Sequence, residues 1–196
     1  MIAGVVLAAG LSSRMGQPKQ LLDWRGTPLV RHVVLQALAA PLDRVVVVVH
    51  PTVPGLLAAL ADLPIVLVEQ SDPAQGQGDS LRLGIAALPE AVSAALVLLG
   101  DQPFVTGALI GELIAAAQST AASIVAPLIA GRRANPVLFK RRWFAALGSI
   151  HGDHGARQLI ADHPAELLLV PIDAPLAGAD VDTLADYQRL LLAAGS

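Results

Sequence analysis

The amino-terminal segment reads Ile2-Ala3-Gly4-Val5-Val6-Leu7-Ala8-Ala9-Gly10-Leu11-Ser12-Ser13-Arg14-Met15-Gly16-Gln17-Pro18-Lys19. Its first residues, 2–7, form an apolar run that is typical of a buried β-strand. The residues that follow are small, polar and basic, and they predict a loop. In α/β proteins, ligands bind at loops that leave the carboxyl ends of buried strands. The segment therefore predicts an α/β fold with a ligand site directly after its first strand.

Glycines and basic side chains give this loop the character of an anion site. Gly10 and Gly16 allow the backbone to approach a ligand closely or to take positive φ. Successive backbone N–H groups in such a turn can form a concave site for an anion. Arg14 and Lys19 add two positive charges. The spacing differs from both common phosphate-loop patterns, but the chemistry indicates a loop that binds a triphosphate.

Apolar runs and helical patterns alternate along the rest of the chain. This alternation predicts one domain, residues 1–196, built as a doubly wound and mostly parallel α/β sheet. We expect residues 1–105 mainly to bind the nucleotide and residues 120–180 to form an acceptor-binding subregion. The predicted strands are Ile2–Leu7, Arg44–Val49, Ile65–Val68, Ala95–Leu99, Ser123–Leu128, Pro136–Phe139 and Leu167–Ile172. The predicted helices are Pro28–Leu38 with Thr27 as N-cap, Val53–Leu60, Leu81–Leu88, a helix capped by Thr106 that runs to about Gln118, Ala156–Asp162 and Thr183–Leu192, with a helical turn at Trp143–Leu147.

The composition excludes several classes of function. The chain has 196 residues, of which 54% are hydrophobic and 15% charged, so it can build a large core. A net charge of −3 and an aromatic content of 3% disfavour nucleic-acid binding. Residues 113–131 are uncharged, but polar residues and Pro127 interrupt them, which argues against a membrane span. The absence of cysteine and of an evident secretory signal favours a cytoplasmic protein.

The loop resembles the A-A-G-x-S-x-R-M-G-x-x-K signature of the MobA-like nucleotidyltransferases. The resemblance continues in order from Ala8 to Tyr187, and it implies the same doubly wound fold. It also implies a set of nucleotide-binding residues in two loops. They are Leu7, Ala8, Ala9, Gly10, Ser12, Ser13, Arg14 and Lys19 in the first loop, and Gly76, Gly78 and Ser80 in the second.

Two acidic positions are candidate metal ligands. Asp101 follows a predicted strand, so its carboxylate should lie on the ligand side of the sheet, facing the triphosphate. Such an arrangement is repulsive unless a cation such as Mg²⁺ lies between the two. The resemblance places a second ligand at Asp182, with Asp180 behind it. A purely structural alternative is that Asp101 or Asp182 caps the helix that follows it.

The second glycine-rich loop, residues 75–80, precedes a predicted helix and should bind the base or the ribose. Its alternative is a flexible surface connection. On the acceptor side, the resemblance singles out Asn135, Asp153 and Arg157. His151, Asp153 and His154 could instead suggest a zinc site, but no third ligand stands at a convincing spacing.

The resemblance is closest to the molybdenum cofactor cytidylyltransferases. It implies Mg²⁺-dependent transfer of CMP from CTP to the terminal phosphate of the molybdenum cofactor, with release of pyrophosphate. Arg14 and Lys19 would stabilise phosphate charge as catalytic residues together with Asp101. A molybdenum hydroxylase or its chaperone could receive the product. The alternatives are a related transferase that uses GTP or another acceptor, and a cofactor-binding chaperone without activity.

Overall fold

The computed structural model describes residues 1–10, 12, 15–72, 76–152 and 156–195. Within these residues the strands are β1 (Ile2–Ala8), β2 (Asp23–Trp24), β3 (Thr27–Pro28), β4 (Arg44–Val49), β5 (Val66–Glu69), β6 (Ala94–Leu99), β7 (Ile124–Ile129), β8 (Arg132–Arg133), β9 (Val137–Lys140) and β10 (Leu167–Pro171). The helices are α1 (Leu29–Leu38), α2 (Leu56–Leu60), α3 (Gly76–Ala86), α4 (Gly107–Gln118), α5 (Phe144–Leu147), α6 (Arg157–Asp162) and α7 (Leu184–Ala194).

A single large sheet runs through the molecule in the order β10-β7-β9-β6-β1-β4-β5, and β8 pairs with β7. Strand β1 lies at its centre, parallel to both β4 and β6. Strand β9 is antiparallel to both of its neighbours, β6 and β7. The predicted doubly wound, mostly parallel sheet is therefore confirmed, with β9 as an antiparallel strand that the sequence pattern did not indicate.

Helices cover both faces of this sheet, which explains why its strands are apolar without alternation. On one face, α1 and α4 pack Val33, Ile110 and their neighbours against β4 and β6. On the other face, α3 packs Leu81 and Ile85 against β1. A third cluster joins Val181 and the closing helix α7 to residues near the first loop. The carboxyl-terminal segment is thereby fixed beside the carboxyl ends of the central strands.

Several predicted boundaries were wrong. Helix α3 begins at Gly76, whereas the two glycines of this segment predicted a loop up to the helix at Leu81. Gly78 lies inside this helix, and its close packing requires a glycine, since a Cβ there would come within 2.6 Å of the carbonyl oxygen of Gly152. Thr27 pairs with Trp24 in the small β2–β3 sheet, and it does not cap α1. The short strands β2, β3 and β8 were not predicted, and the remaining elements agree with the prediction to within a few residues.

Two threonines cap helices near the site. Thr106 accepts a hydrogen bond from the N–H of Leu109 at the start of α4, as the sequence predicted. Thr183 caps α7 through a capping box with Asp186. Neither Asp101 nor Asp182 therefore has the capping role that was their structural alternative. Among the described helices, none has the length and apolar character needed to cross a membrane.

Candidate active site

A cavity of about 240 Å³, here called the first cavity, opens at the carboxyl ends of β1 and β6. It lies where the sequence predicted the nucleotide. Its lining includes many of the predicted nucleotide-binding residues, namely Leu7, Ala8, Ala9, Gly10, Lys19, Gly76 and Ser80, together with Asp101, Gly100, Gln20, Gln70, Gln77 and Leu99. Ser13 and Arg14 were also predicted here, but they lie outside the described residues.

Gln20 organises the first loop from inside the protein. Its side chain is buried, and its amide nitrogen donates hydrogen bonds to the carbonyl oxygens of Ala8 and Gly10. The Ser12 hydroxyl donates to the side-chain oxygen Oε1 of Gln20 at 3.3 Å. The same hydroxyl accepts the backbone N–H of Lys19 at 3.0 Å, so Ser12 positions the loop without lining the cavity. The sequence analysis missed Gln20, although it directly follows the motif lysine.

The ammonium group of Lys19 lies between two carboxylates. Its Nζ is 2.6 Å from Oδ2 of Asp101 and 3.0 Å from Oδ1 of Asp182. Burial alone would lower the pKa of Lys19, but the charges and hydrogen bonds of the two aspartates outweigh it and raise that pKa above its usual value. Three residues that lie far apart in sequence thus meet at one edge of the first cavity.

Asp180 belongs to the same acidic group. Its Oδ1 accepts a hydrogen bond from Nε2 of Gln102 at 2.8 Å. Burial, with the nearby charges of Asp101 and Asp182, raises the pKa of Asp180 to about 6. The N–H of Val181 donates to the Asp101 carbonyl oxygen at 3.0 Å, which holds the segment with both aspartates against the end of β6.

The donor set fits a hard cation that is shared with a phosphate. Oδ1 of Asp101 is buried and accepts no hydrogen bond from the described part of the chain. The Lys19 ammonium already occupies a position between Asp101 and Asp182 where a positive charge is favoured. No group of three or more candidate metal-binding side chains is preassembled among the described residues. Mg²⁺ does not need one, since it commonly binds through one or two carboxylates plus substrate phosphates and water.

The second glycine segment forms the opposite wall of the cavity. Gln70 is buried, and its side chain receives a hydrogen bond from the Ser80 hydroxyl and donates to the Gly76 carbonyl oxygen at 3.3 Å. Gln77 lines the cavity with an exposed side chain. Gly78 does not line the first cavity, because it packs against Gly152 and Ile150, and its role in nucleotide binding stays a prediction. Sequence reasoning did not identify Gln70 or Gln77.

Asp79 connects α3 to the segment before α6. Its carboxylate is buried, and it accepts the N–H of Gly152 at 3.3 Å and contacts Nδ1 of His151 at 3.3 Å. The described residues do not test the alternative of a zinc site at His151, Asp153 and His154, because only His151 of the three is described. Asp153 and His154 lie outside those residues.

A second cavity, of about 280 Å³, adjoins the first and shares Leu7, Gln77 and Leu99 with it. Two of the predicted acceptor-binding residues, Asn135 and Arg157, line this second cavity. The third, Asp153, lies outside the described residues. Arg133, which the sequence analysis did not name, lines the same cavity.

Comparisons with known proteins agree with this architecture. The nicotine blue oxidoreductase of Paenarthrobacter nicotinovorans is 32% identical over 97% of this chain and 96% of its own. A probable molybdenum cofactor guanylyltransferase of Bacillus cereus is 38% identical, over 33% of this chain and 32% of its own. The crystal structure of Rv0371c from Mycobacterium tuberculosis H37Rv has a TM-score of 0.86 and 32% identity, covering 97% of both chains. The structure of Rv0371c in complex with manganese has a TM-score of 0.84 and 31% identity, covering 97% of this chain and 98% of that one. Residues 4–167 match the MobA-like NTP transferase domain, so the chain belongs to that family.

Proposed function

We propose that this protein transfers CMP from CTP to the terminal phosphate of the molybdenum cofactor, with Mg²⁺ bound and pyrophosphate released. The observation that carries the proposal is the meeting of Lys19, Asp101 and Asp182 beside the glycine loop at the end of β1. A cation site, a phosphate-binding loop and an adjoining second cavity are what a nucleotidyl transfer between two phosphorylated substrates requires. Membership of the NTP transferase family supports this reaction class.

Asp101 and Asp182 would hold the metal. Mg²⁺ would neutralise phosphate charge and make the α-phosphorus more susceptible to attack. The buried Oδ1 of Asp101, which accepts no hydrogen bond from the described residues, supplies one oxygen for the metal, and the half-exposed side chain of Asp182 leaves room for phosphate and water. The manganese complex of the related Rv0371c supports a divalent cation in this fold. Mg²⁺ in particular remains our proposal.

The remaining work is positioning and charge stabilisation, because the acceptor phosphate is itself the nucleophile. Lys19 would exchange its carboxylate partners for phosphate oxygens when the nucleotide binds, and Arg14 would act with it on the leaving pyrophosphate. The backbone of residues 8–10, fixed by Gln20, would surround the nucleotide. No side chain needs to form a covalent intermediate.

The wall of the first cavity around Ala9 favours a pyrimidine base over a purine. Ala9 is nearly fully buried in the core while lining the first cavity, so its methyl group takes space that a glycine would leave open. Gln70 is occupied by Ser80 and Gly76, whereas Gln77 offers an amide that can read a base edge. We infer that Ala9→Gly weakens the preference for CTP only in part, because one methyl group contributes about 1–3 kcal/mol to discrimination.

The second cavity is the proposed acceptor site, bound through Asn135, Arg157 and Asp153. Most of its lining residues lie between Arg133 and Ile160, although Leu7, Gln77 and Leu99 are shared with the first cavity, which is lined by residues 7–101. This division supports one domain with a nucleotide half, residues 1–105, and an acceptor subregion, residues 120–180. A cytoplasmic location and delivery of the product to a molybdenum hydroxylase or its chaperone remain predictions.

Two related functions would use the same site. A guanylyltransferase is favoured by the names of several relatives, although the match with the Bacillus cereus protein covers only a third of this chain. A cofactor-binding chaperone would need no metal. The pairing of Asp101 and Asp182 with Lys19 argues for a protein that turns over.

An oxidoreductase is a second candidate, because the relative named nicotine blue oxidoreductase matches this chain over nearly its full length. Such an activity would need a hydride donor in the first cavity and a dye-like substrate in the second. Under this alternative, the purified protein would bleach nicotine blue with a reduced nicotinamide nucleotide and would release no pyrophosphate from any nucleotide.

Pyrophosphate release separates these candidates in one experiment. The protein is mixed with CTP or GTP, the molybdenum cofactor, and either Mg²⁺ or a chelator. We expect release with CTP, cofactor and Mg²⁺ together, and little with GTP. Release of pyrophosphate with GTP but not with CTP, under the same conditions, would indicate the guanylyltransferase alternative. No release with either nucleotide, combined with bleaching of nicotine blue, would replace the proposal by the oxidoreductase.

A further inference from the structure

Among the described residues, the lining of the second cavity carries positive charge without a matching negative charge. Arg133 and Arg157 are the charged residues among its described lining, which contains no carboxylate. Within the described part of the chain, neither guanidinium forms an ion pair or a hydrogen bond with another side chain. Two neighbouring arginines repel each other unless an anion lies between them. This arrangement is typical of a site for a phosphate group.

The position of Arg133 is fixed by a tight hairpin. Ala130 and Gly131 both have positive φ, 48° and 76°, which is the geometry of a type I′ turn between β7 and β8. Arg133 pairs with Leu128, and the next N–H, of Ala134, donates to Pro127 at 3.0 Å. Its side chain is half-buried, and burial together with the nearby charge of Arg157 lowers the pKa of Arg133. The charge is therefore held in a poorly solvated place, which favours an anionic partner.

Arg133 also connects the second cavity with the acidic group. It lines a third cavity together with Asn135, Gln102 and Asp180. Gln102 and Asp180 are hydrogen-bonded to each other, next to Asp101 and Asp182. An anion held by Arg133 would thus lie between the second cavity and the proposed cation site, where an attacking phosphate must be.

The other lining residues of the second cavity indicate which kind of ligand would carry this phosphate. The lining includes apolar side chains, among them Leu81, Val97 and Phe139. It also includes amide side chains at Gln77, Asn135 and Gln158. A lining that combines apolar and amide side chains suits a flat ring compound that has hydrogen-bonding edges.

We propose that Arg133 and Arg157 together bind the phosphate group of a ring-containing acceptor in the second cavity, and that Arg133 directs this phosphate towards Asp101 and Asp182. The identification of the ligand as the acceptor rests on the proposed function. The two-arginine anion site itself rests on the cavity and its charges.

Binding of phenyl phosphate, measured by calorimetric titration without nucleotide, tests this inference. Phenyl phosphate combines an apolar ring with one phosphate and is small enough for the cavity. Arg133→Gln and Arg157→Gln should each weaken its binding about tenfold or more, the effect of losing a hydrogen bond between charged groups. Arg44→Gln is the matched control. It removes an exposed arginine at the amino end of β4, away from the cavities, and should leave binding unchanged.

Two further variants keep the result interpretable. Arg133→Lys retains the charge and should retain most of the binding. It therefore still tests the site if the Arg133→Gln variant is unstable. Lys19→Ala should still bind phenyl phosphate if the phosphate lies in the second cavity. The inference is overturned if the unmodified protein does not bind phenyl phosphate, if Lys19→Ala abolishes binding, or if both Arg133 variants bind like the unmodified protein.

The kinetics separate this inference from the proposed function. In the transferase assay, Arg133→Gln should raise the KM for the acceptor and leave the KM for CTP unchanged. Equal increases in both would place Arg133 in the nucleotide site and overturn the inference. A protein that binds phenyl phosphate through Arg133, yet releases no pyrophosphate with any nucleotide, would retain the anion site and refute the transferase.

Discussion

Lys19 provides the positive charge between Asp101 and Asp182 at distances of 2.6 and 3.0 Å. We expect Lys19→Ala to lower kcat/KM by about 10²-fold or more, the scale of losing one preorganised charge contact to a transition state. The fold should persist, because Lys19 belongs to a short turn outside the three apolar clusters. Steady-state kinetics and thermal denaturation of the same preparation measure both effects.

Lys140 offers the control for this variant. It is the only other lysine in the sequence. It is the last residue of β9 and pairs with Ala94 at the amino end of β6, whereas the site lies at the carboxyl end of β6. Lys140→Ala should keep near-normal kcat/KM while losing the hydrogen bond to the Thr120 carbonyl oxygen. If both lysine variants showed similar turnover, Lys19 would have no role in catalysis.

Asp101 can be tested with little change in shape. Asp101→Asn keeps the size of the side chain, removes one ligand charge and relieves its repulsion with Asp180. We expect metal-dependent turnover to be abolished and the melting temperature to stay roughly unchanged, since Thr106 caps α4. A loss of about 1 kcal/mol in stability with activity retained would instead indicate a structural role.

At the residue scale, side chains with charge and a distinctive spacing could be predicted from sequence. Lys19, Asp101 and Asp182 were named in advance, and the structure brings them together. Gln20 and Gln70 were not, because a neutral amide that satisfies backbone carbonyls has no spacing of its own. Their role depends on burial, which only the folded chain reveals.

Among the elements, α3 and the segment before α6 are in close contact. A methyl group at Gly78 would lie 2.6 Å from the Gly152 carbonyl oxygen and 2.8 Å from Ile150. We expect Gly78→Ala to lower the melting temperature and to displace residues 150–152 from Asp79, which would raise the KM for the acceptor. Thermal denaturation and acceptor titrations measure these effects.

Gly111 gives a matched comparison in α4. A methyl group there would meet only the Pro41 ring, at 3.8 Å. Gly111→Ala should be neutral or stabilising by up to about 1 kcal/mol, because alanine favours helix more than glycine does. Equal melting temperatures for the two alanine variants would refute the close packing at Gly78.

The raised pKa of Asp180 should make the free energy of unfolding depend on pH. The folded pKa of about 6 lies above the ordinary value of 3.8, so the folded protein binds this proton more tightly than the unfolded chain does. The stability that this group contributes is present below about pH 4 and is lost as the pH rises to about 6. Relative to Asp180→Asn, the unmodified protein should therefore lose stability across that window.

Urea denaturation at several pH values, without divalent cations, measures this difference. The asparagine can still accept the Gln102 hydrogen bond, so the variant isolates the titration of the carboxyl group. If the free energies of unfolding of the two proteins differed by a constant amount from pH 4 to 7, Asp180 would have an ordinary pKa.

The order of the elements could be predicted because apolar strands and helices alternate along the chain. Two details depended on distant contacts. The antiparallel direction of β9 is set by its insertion between β6 and β7, which no local pattern records. The second is the glycine at position 78 inside α3, which the Gly152 carbonyl oxygen, distant in sequence, requires by leaving no room for a Cβ.

For the molecule as a whole, the parallel sheet brings the ends of β1 and β6 to one edge, and the chain builds two adjoining cavities there. The family and the reaction class follow from this arrangement and from the match over residues 4–167. The nucleotide and the acceptor depend on a few side chains around the cavities, so related proteins with the same fold can differ in both.

The most direct test of the central claim follows the α-phosphate of the nucleotide. The protein is incubated with CTP labelled at the α-phosphate, the molybdenum cofactor and Mg²⁺, and the products are identified by mass and label. We expect a labelled cytidine dinucleotide of the cofactor and an equal amount of pyrophosphate, with neither in the Asp101→Asn variant. Label that stays in CTP, while GTP or a redox substrate is consumed, would contradict the account.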